Sequence, residues 1–428
     1  MKIKLEYVWL DGYTPEPNLR SKIKIVDYPI NFIKDIPEWG FDGSSTKQAE
    51  GYSSDCYLKP VRLYKSYDRI YVFCEVMDNK NNAHETNDRA KLGKEDESFW
   101  VGFEQEYFIR SAHNQNILGF DSGTMIDPQG KYYCGVGGQI VGRNIVEEHL
   151  DMCLECGIGI EGINAEVALG QWEYQIFAKG KLLAADDLWM SRYFLYKIAE
   201  KYGYQIELHP KPLVIGEWNG SGLHTNFSNK IMREVGGEQY FKSIFNVFES
   251  RKNVHMKNYG SDNELRLTGK YETQSINKFS WGISDRGASI RVPMSTAKEW
   301  KGYVEDRRPA SNANPYKILN VICESLVSAK QLESTLSIMY EDIDTDKLSE
   351  KYGTMSNDDL LKEYRNDDDY ELSEVMMEYD FEDFRLYIDS KFVKDFGSTY
   401  FPNEDDAQPF IRDWFEEEFG VKVKYMES

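Results

Sequence analysis

The chain has 428 residues, 41% of them apolar and 14% aromatic, enough for two or three domains with sizeable cores. A net charge of −21 argues against nucleic acid and anionic membrane as partners. No apolar run is long enough to span a bilayer, MKIKLEYVWLDGY lacks the apolar core of a signal peptide, and the six cysteines do not read as a disulfide framework, so the expected compartment is the cytoplasm.

Residues 1–95 alternate apolar and polar positions between turn signals, as in KIKLEYVWL, SKIKIVDY and RIYVFCEVMD, which predicts a small mixed β domain. HETNDRAKLGKEDES is the expected linker. FWVGFEQEYFIR (99–110) follows, with Phe99, Val101, Phe103, Tyr107 and Ile109 at odd positions and Glu104 and Glu106 at even ones. That period of two predicts a strand with one apolar face, its two carboxylates pointing the same way. A solvated strand face is the ordinary reading of such charges. It weakens here because similar acids recur beside Gly, Trp and His: Glu166 and Glu173 in NAEVALGQWEY, His224 in EWNGSGLHTN and Glu305 in GYVEDRRPASN. Clustered carboxylates repel and protonate unless a cation neutralises them. Five carboxylates and one imidazole are enough for two divalent cations and suit Mg²⁺ or Mn²⁺ better than zinc.

From Phe99 onward strands alternate with helices. Arg143–Cys156 reads as one helix stopped by Gly157, and Asp186–Tyr202 as another, with an Asp-Asp cap and Gly203 at its end. Cys153 and Cys156 form a CxxC inside the first helix, and without a second pair they read as reduced packing cysteines. Arg266, Arg286, Arg291, Arg307 and Arg308 crowd the end of this region. Carboxylates for metal and arginines for phosphate together suggest nucleotide-dependent phosphoryl transfer.

Residues 331–428 carry 28 acids and 10 bases, whereas the rest of the chain is nearly balanced at 44 and 41. Charge alone would make this tail a disordered arm, but 17 aromatics among its residues point to a folded appendage. It is expected to be mostly α-helical, with a helix after Pro409. A regulatory or assembly module and a plain packing element are equally compatible with it.

The motifs EYVWLDG (6–12), WGFDGSSTKQA (39–49), FEQEY (103–107), GINAEVALGQWEYQ (162–175), NGSGLHTN (219–226), LRLTGKYET (265–273), DRGASIRVP (285–293) and GYVEDRRPASNANPY (302–316) occur in the order of one family. The chain resembles the eukaryotic-like class of glutamine synthetases. The resemblance implies an α+β fold: an N-terminal β-grasp domain over 1–95, then over 96–332 a catalytic domain with a curved antiparallel sheet and flanking helices. Residues 333–428 are an extension outside it.

The resemblance also implies ligation of ammonia to the γ-carboxylate of L-glutamate, with ATP as co-substrate and two Mg²⁺ or Mn²⁺ ions per site. Glu106, Glu166 and Glu173 would hold one ion; Glu104, His224 and Glu305 would hold the other. Asn219, Gly220 and Arg266 would bind the amino acid. Glu104, the run from Glu173 to Ala178, Asn226, Phe227, Ser228, Arg291 and Tyr303 would line the nucleotide side. Arg286, Arg291 and Arg307 would grip phosphate oxygens, Arg286 and Arg307 also acting in catalysis. Asp42 would hold ammonium and take its proton, and Glu272 would close the site. Sites between subunits and a homo-oligomeric ring of two stacked pentamers complete the implication. Phe177-Ala178 departs from the usual Gly-Pro, Asp285 from Asn and Tyr271 from His. Two other readings stay open: a γ-glutamyl ligase of the same fold using an organic amine, and a non-catalytic scaffold.

Overall fold

The computed structural model describes residues 2–27, 29–30, 32–120, 126–340, 375–380, 383–388 and 391–395. The chain divides into two compact units, Met1–Phe245 with Lys252–Glu324 and Asn246–Arg251 with Ser325–Ser428.

In the first unit, strands β1 (Lys2–Leu10), β2 (Leu19–Asp27), β3 (Trp39–Asp42), β4 (Asp55–Lys65) and β5 (Arg69–Met77) form a sheet of order β2-β1-β5-β4-β3. β1 and β5 run parallel and the other pairs antiparallel, the mixed sheet expected of a β-grasp. Its buried face gathers Leu5, Tyr7, Trp9, Leu58, Val72, Cys74 and Val76, residues that the alternation placed together.

The second sheet has eight strands: β6 (Trp100–Ser111), β7 (Ile160–Ala165), β8 (Gln171–Lys179), β9 (Tyr204–Glu207), β10 (Leu223–Ser228), β11 (Trp281–Ile283), β12 (Ile290–Val292) and β13 (Val304–Asp306). Their order is β11-β12-β13-β10-β6-β8-β7, with β9 also paired to β6. All neighbours are antiparallel except β11 and β12. Helices Arg143–Glu155 and Lys181–Lys201 belong to the same unit. Cys153 and Cys156 are buried, free thiols of the first helix.

The long helix begins five residues before its expected start, and Asp186 and Asp187 are not its cap. Asp186 is fully buried and accepts from Arg62 Nε at 2.9 Å, Arg89 Nε at 2.9 Å and the Tyr316 hydroxyl at 2.6 Å. Asp187 accepts from the Tyr64 hydroxyl at 2.8 Å. The helix end is satisfied from far upstream instead, where Glu95 accepts from the Leu182 and Leu183 amides at 2.9 and 2.8 Å. Gly180, at φ +135°, makes room, since a Cβ there would meet the Glu95 carboxyl carbon at 2.8 Å. Through Asp186 and Asp187 the small sheet is tied to this helix by charge. Glu6 adds a second tie, accepting from Arg69, Lys197 and the Tyr193 hydroxyl.

In the second unit, β14 (Val375–Asp380), β15 (Asp383–Ile388) and β16 (Lys391–Asp395) form a three-stranded antiparallel sheet in sequence order. These residues are strands where a mostly helical appendage is expected, and the rest of the extension beyond Tyr340 lies outside the described residues. VMMEYD, DFRLYI and KFVKD are rich in aromatic and branched side chains and suit a pleated surface. The helix expected after Pro409 lies outside the described residues. The last helix of the core, Pro315–Tyr340, runs unbroken through position 333.

Replacing Asp186 by Ala is expected to cost about 3–5 kcal/mol, because two arginines lose a buried acceptor. A urea-unfolding midpoint equal to that of the wild type would contradict this.

Candidate active site

Strand register assembles the site. Across the β6–β10 pair His224 faces Glu104, and across the β6–β8 pair Glu106 faces Glu173. Across β12–β13, Arg291 faces Glu305, which on its other side faces Asn226 of β10. Residues two apart on each strand share a face, so one face of the sheet carries Glu104 and Glu106, Glu173 and Gln175, and His224 and Asn226. Glu166 lies one residue beyond β7 and joins from the short β7–β8 connection, its amide donating to the Gln171 carbonyl at 3.0 Å.

Glu104, His224 and Glu305 form the tightest group, with ligand atoms all within 4.8 Å of one another. Nδ1 of His224 lies 3.4 Å from a carboxylate oxygen of Glu104 and 3.4 Å from one of Glu305. Burial, helped by nearby Arg307, pushes the His224 pKa well below its ordinary value despite the pull of Glu305. The imidazole is therefore neutral, the form that can ligate a metal. Asn226 Nδ2 donates to Glu104 at 2.8 Å.

Glu106, Glu166 and Glu173 form the second group. Burial raises all three pKa values, and repulsion by Glu106 raises those of Glu166 and Glu173 further. Hydrogen bonds hold each in place: Glu106 accepts from the Gly222 amide at 2.6 Å, Glu166 from Asn164 Nδ2 at 2.9 Å, and Glu173 from Gln175 Nε2. Without a cation these acids hold protons that the ordinary carboxylate range would not allow them. At Glu104, His224 and Glu305, two hard carboxylate donors and one neutral imidazole fit a hard divalent cation.

The arginines converge on the same edge. Arg291 NH1 and Arg307 NH1 both donate to Glu305, at 2.8 and 2.6 Å. Arg307 also reaches the carbonyls of Arg286 at 3.0 Å and Glu272 at 3.4 Å, and Arg286 NH1 lies 3.9 Å from the Glu272 carboxylate. Tyr303 lies within the influence of the Arg291, Glu104 and Glu305 charges, while burial raises its pKa. Arg308 belongs elsewhere. On the opposite face of the strand from Glu305 and Arg307, it is buried and donates to Asp306 at 2.7 and 2.8 Å.

Arg266 is buried beside the first group, and its pKa falls to about 10 through burial, with Glu106 opposing. It donates to His224 Nε2 at 3.1 Å and to the carbonyls of Arg307 and Arg308 at 2.9 and 3.4 Å. Among the described contacts this leaves Nε–H and one NH1 hydrogen for a substrate carboxylate. The NGSG glycines serve this arginine: a Cβ at Gly220 would meet Arg266 Cγ at 2.8 Å, and one at Gly222 would meet Arg266 NH2 at 2.4 Å. Asn219 is fixed by Gln129, which accepts from its amide at 2.7 Å and donates to its side-chain oxygen at 2.9 Å.

Three expected residues sit apart. Phe227 is buried and stacks on Phe99 with ring centroids 6.4 Å apart, so its side chain faces the core and only its backbone can face a nucleotide. Ser228 is buried too, its hydroxyl accepting from Arg233 at 2.9 Å. Asp42 ends β3 with its carboxylate bound locally, accepting from the Ser44 and Ser45 hydroxyls at 2.6 and 2.7 Å, and these bonds lower its pKa. Sequence reasoning missed Asn164 and Gln129; Gln129, in a loop, gave no signal.

Tyr271 and Glu272 are consecutive non-glycine residues with φ of +57° and +59°, at a cost of about 1–2 kcal/mol each. Their loop is closed at its neck by a bridge between Thr268 and Ser275.

A family model described as the glutamine synthetase catalytic domain matches residues 79–243. Over 337 residues the chain is 52% identical to a glutamine synthetase of Bradyrhizobium diazoefficiens, covering 97% of that protein and 76% of this one. The chain belongs to the glutamine synthetase family. A glutamine synthetase of Saccharomyces cerevisiae is 45% identical over 338 residues, 90% of its length and 77% of this chain. The fold is that of a Plasmodium falciparum glutamine synthetase structure, with a TM-score of 0.59, 17% identity, and coverage of 76% of this chain and 72% of the other.

The raised carboxyls give the chain a signature. Their folded-state pKa values lie above the unfolded ones, so the metal-free fold holds more protons and loses stability as pH rises from the unfolded value of 4.5 toward the raised values. Melting of the metal-free enzyme should therefore fall over that interval. Added Mg²⁺ or Mn²⁺ should restore it, with a gain that grows with pH. A cation response that is flat with pH would contradict the assignment.

Proposed function

We propose that the chain ligates ammonia to the γ-carboxylate of L-glutamate by way of γ-glutamyl phosphate, with ATP as phosphoryl donor. The observation that carries this reading is the meeting of Glu104 and His224 with Glu305, on which Arg291 and Arg307 also converge, with Arg286 and Glu272 beside Arg307. A carboxylate is a poor electrophile and oxide a poor leaving group; phosphorylation removes both obstacles. The glutamate γ-oxygen attacks the γ-phosphorus and ADP leaves; ammonia then attacks the acyl carbon and phosphate leaves.

Glu106, Glu166 and Glu173 would hold one Mg²⁺ or Mn²⁺, and Glu104, His224 and Glu305 the other. When bound, such cations screen the triphosphate and polarise the phosphoryl group. Arg286, Arg291 and Arg307 supply fixed positive charge for the phosphoryl oxygens, and Glu305 orients two of them before substrate arrives. Arg266 offers its remaining N–H groups to the α-carboxylate of glutamate, beside Asn219 and Gly220. Asn226, Tyr303 and the backbone of Phe227 and Ser228 would face the nucleotide. Glu272, held by contacts to Arg286 and Arg307, would cover the acyl phosphate and keep water from it.

Asp42 would bind ammonium. Its lowered pKa suits the holding role, and taking the proton needs the dry surroundings of a closed site. From the family likeness we infer that Asp42 serves a site shared between neighbouring subunits in a ring of two pentamers. A small anionic holder also favours ammonium over an organic amine.

Purified protein with glutamate, ATP, a divalent cation and ammonium is expected to form glutamine, and far less product when ethanolamine replaces ammonium. Arg307→Ala should lower the rate roughly 10²–10³-fold. Reassembling equal amounts of the inactive Asp42→Asn and Arg307→Ala chains should recover about one quarter of wild-type activity, because only mixed neighbours build an intact site. No recovery from demonstrably mixed oligomers would rule out the shared site.

A further inference from the structure

The loop carrying Glu272 is tied at its apex on two sides. On one side lie the contacts of Glu272 to Arg286 and Arg307. On the other, the Tyr271 hydroxyl donates to the Glu217 carboxylate. Glu217 is a firm post. Its neighbour Trp218 packs edge-on against Phe120 at 5.4 Å, and the Trp218 carbonyl accepts from Lys211 Nζ. That same ammonium lies 4.9 Å from the centre of the Tyr271 ring, so Lys211 joins the post to the aromatic side chain. Asn219, in the substrate motif, follows two residues later.

The loop's neck is also fixed, with Thr273 Oγ1 donating to the carbonyls of Arg266 at 3.1 Å and Lys270 at 2.8 Å. Between neck and post the backbone passes through two left-handed residues in succession. Such a conformation persists only where surrounding contacts over-determine it. Glu272 itself is half exposed and its ion pair to Arg286 is long, so its own contacts are a weak restraint. The Tyr271–Glu217 hydrogen bond is the second hold on the apex.

We propose that Tyr271 is a positioning residue that, through Glu217, keeps Glu272 over the reaction centre and so decides how well the acyl phosphate is guarded from water. This rests on the ligase reading above. When the tie is cut, the loop opens more often and water attacks the acyl carbon of γ-glutamyl phosphate. That returns glutamate and phosphate, so ATP is consumed without glutamine.

The test uses the full chain at limiting ammonium and measures phosphate released per glutamine formed. Wild type should give a ratio near unity. Tyr271→Phe and Glu217→Ala should each raise the excess of phosphate over glutamine about fivefold, the shift that one exposed hydrogen bond makes in an open–closed equilibrium. Glu217→Gln, which keeps an acceptor, should stay near wild type. The double variant Tyr271→Phe/Glu217→Ala should be no worse than either single one, since both remove the same contact. Melting temperatures of these exposed-site variants should match wild type. An unchanged ratio in Tyr271→Phe, or additive effects in the double variant, would overturn the proposal. A wild type that makes no glutamine would instead overturn the ligase reading.

Discussion

Like charges held close together by strand register are the constraint on which the site depends. Hydrogen bonding between β6, β8 and β10 leaves Glu104, Glu106, Glu173 and His224 no choice but to share one face. The sheet forces together groups that would separate in solution, and its core keeps them there. A slip of one residue in any of these strands would send the carboxylates into the apolar layer and bring Phe103 or Tyr107 to the surface. The register is therefore as firmly specified as the core itself. Everything else in the site answers the resulting negative charge: Arg291 and Arg307 on Glu305, Arg266 beside His224, and the amide of Gly222 on Glu106.

Behind this face lies a second polar layer that never meets substrate. Gln105 points away from its two glutamate neighbours, accepting from Arg192 Nε at 2.8 Å and donating to the Ser311 carbonyl at 3.0 Å. Arg192 also donates to the carbonyls of Ser311 and Ala313 at 2.9 and 3.0 Å. Asp306 is satisfied by Arg308 and by the Tyr259 hydroxyl at 2.7 Å. Buried groups so fully paired resist displacement, because any shift would leave them without partners. They fix β6 and the segment after β13 from the rear, which is how strands lined with flexible glutamates and arginines come to present them in one arrangement.

How much of this was legible depends on the range of the interactions. β6 could be read because its alternation is local and unambiguous, and its face correctly paired Glu104 with Glu106. The start of the long helix could not, because its cap comes from Glu95, a residue remote in sequence, while the adjacent acids at 186 and 187 mimic a local cap. Arg308 stood among the phosphate-binding arginines on proximity alone; strand alternation, applied to β13, would have removed it. Phe227 shows the same lesson on β10. The convergence of Glu272, Arg286 and Arg307 has no spacing rule behind it and rested on family likeness. The strands of the extension were hidden by acidity, which drew attention to charge when period-two pairs such as Phe384 and Leu386 carried the signal.

The carboxylate of Glu95 closing the end of a helix that starts beyond position 180 has a bearing on modularity. A compositional reading cuts the chain between the small sheet and the catalytic region at about this residue. A fragment made by that cut would begin just after the group that terminates its longest fully described helix, and would also lose Arg62 and Arg89 from around Asp186. The two regions are thus not interchangeable parts: a graft from a homologue would have to carry this acid, and the glycine that accommodates it, across the junction together.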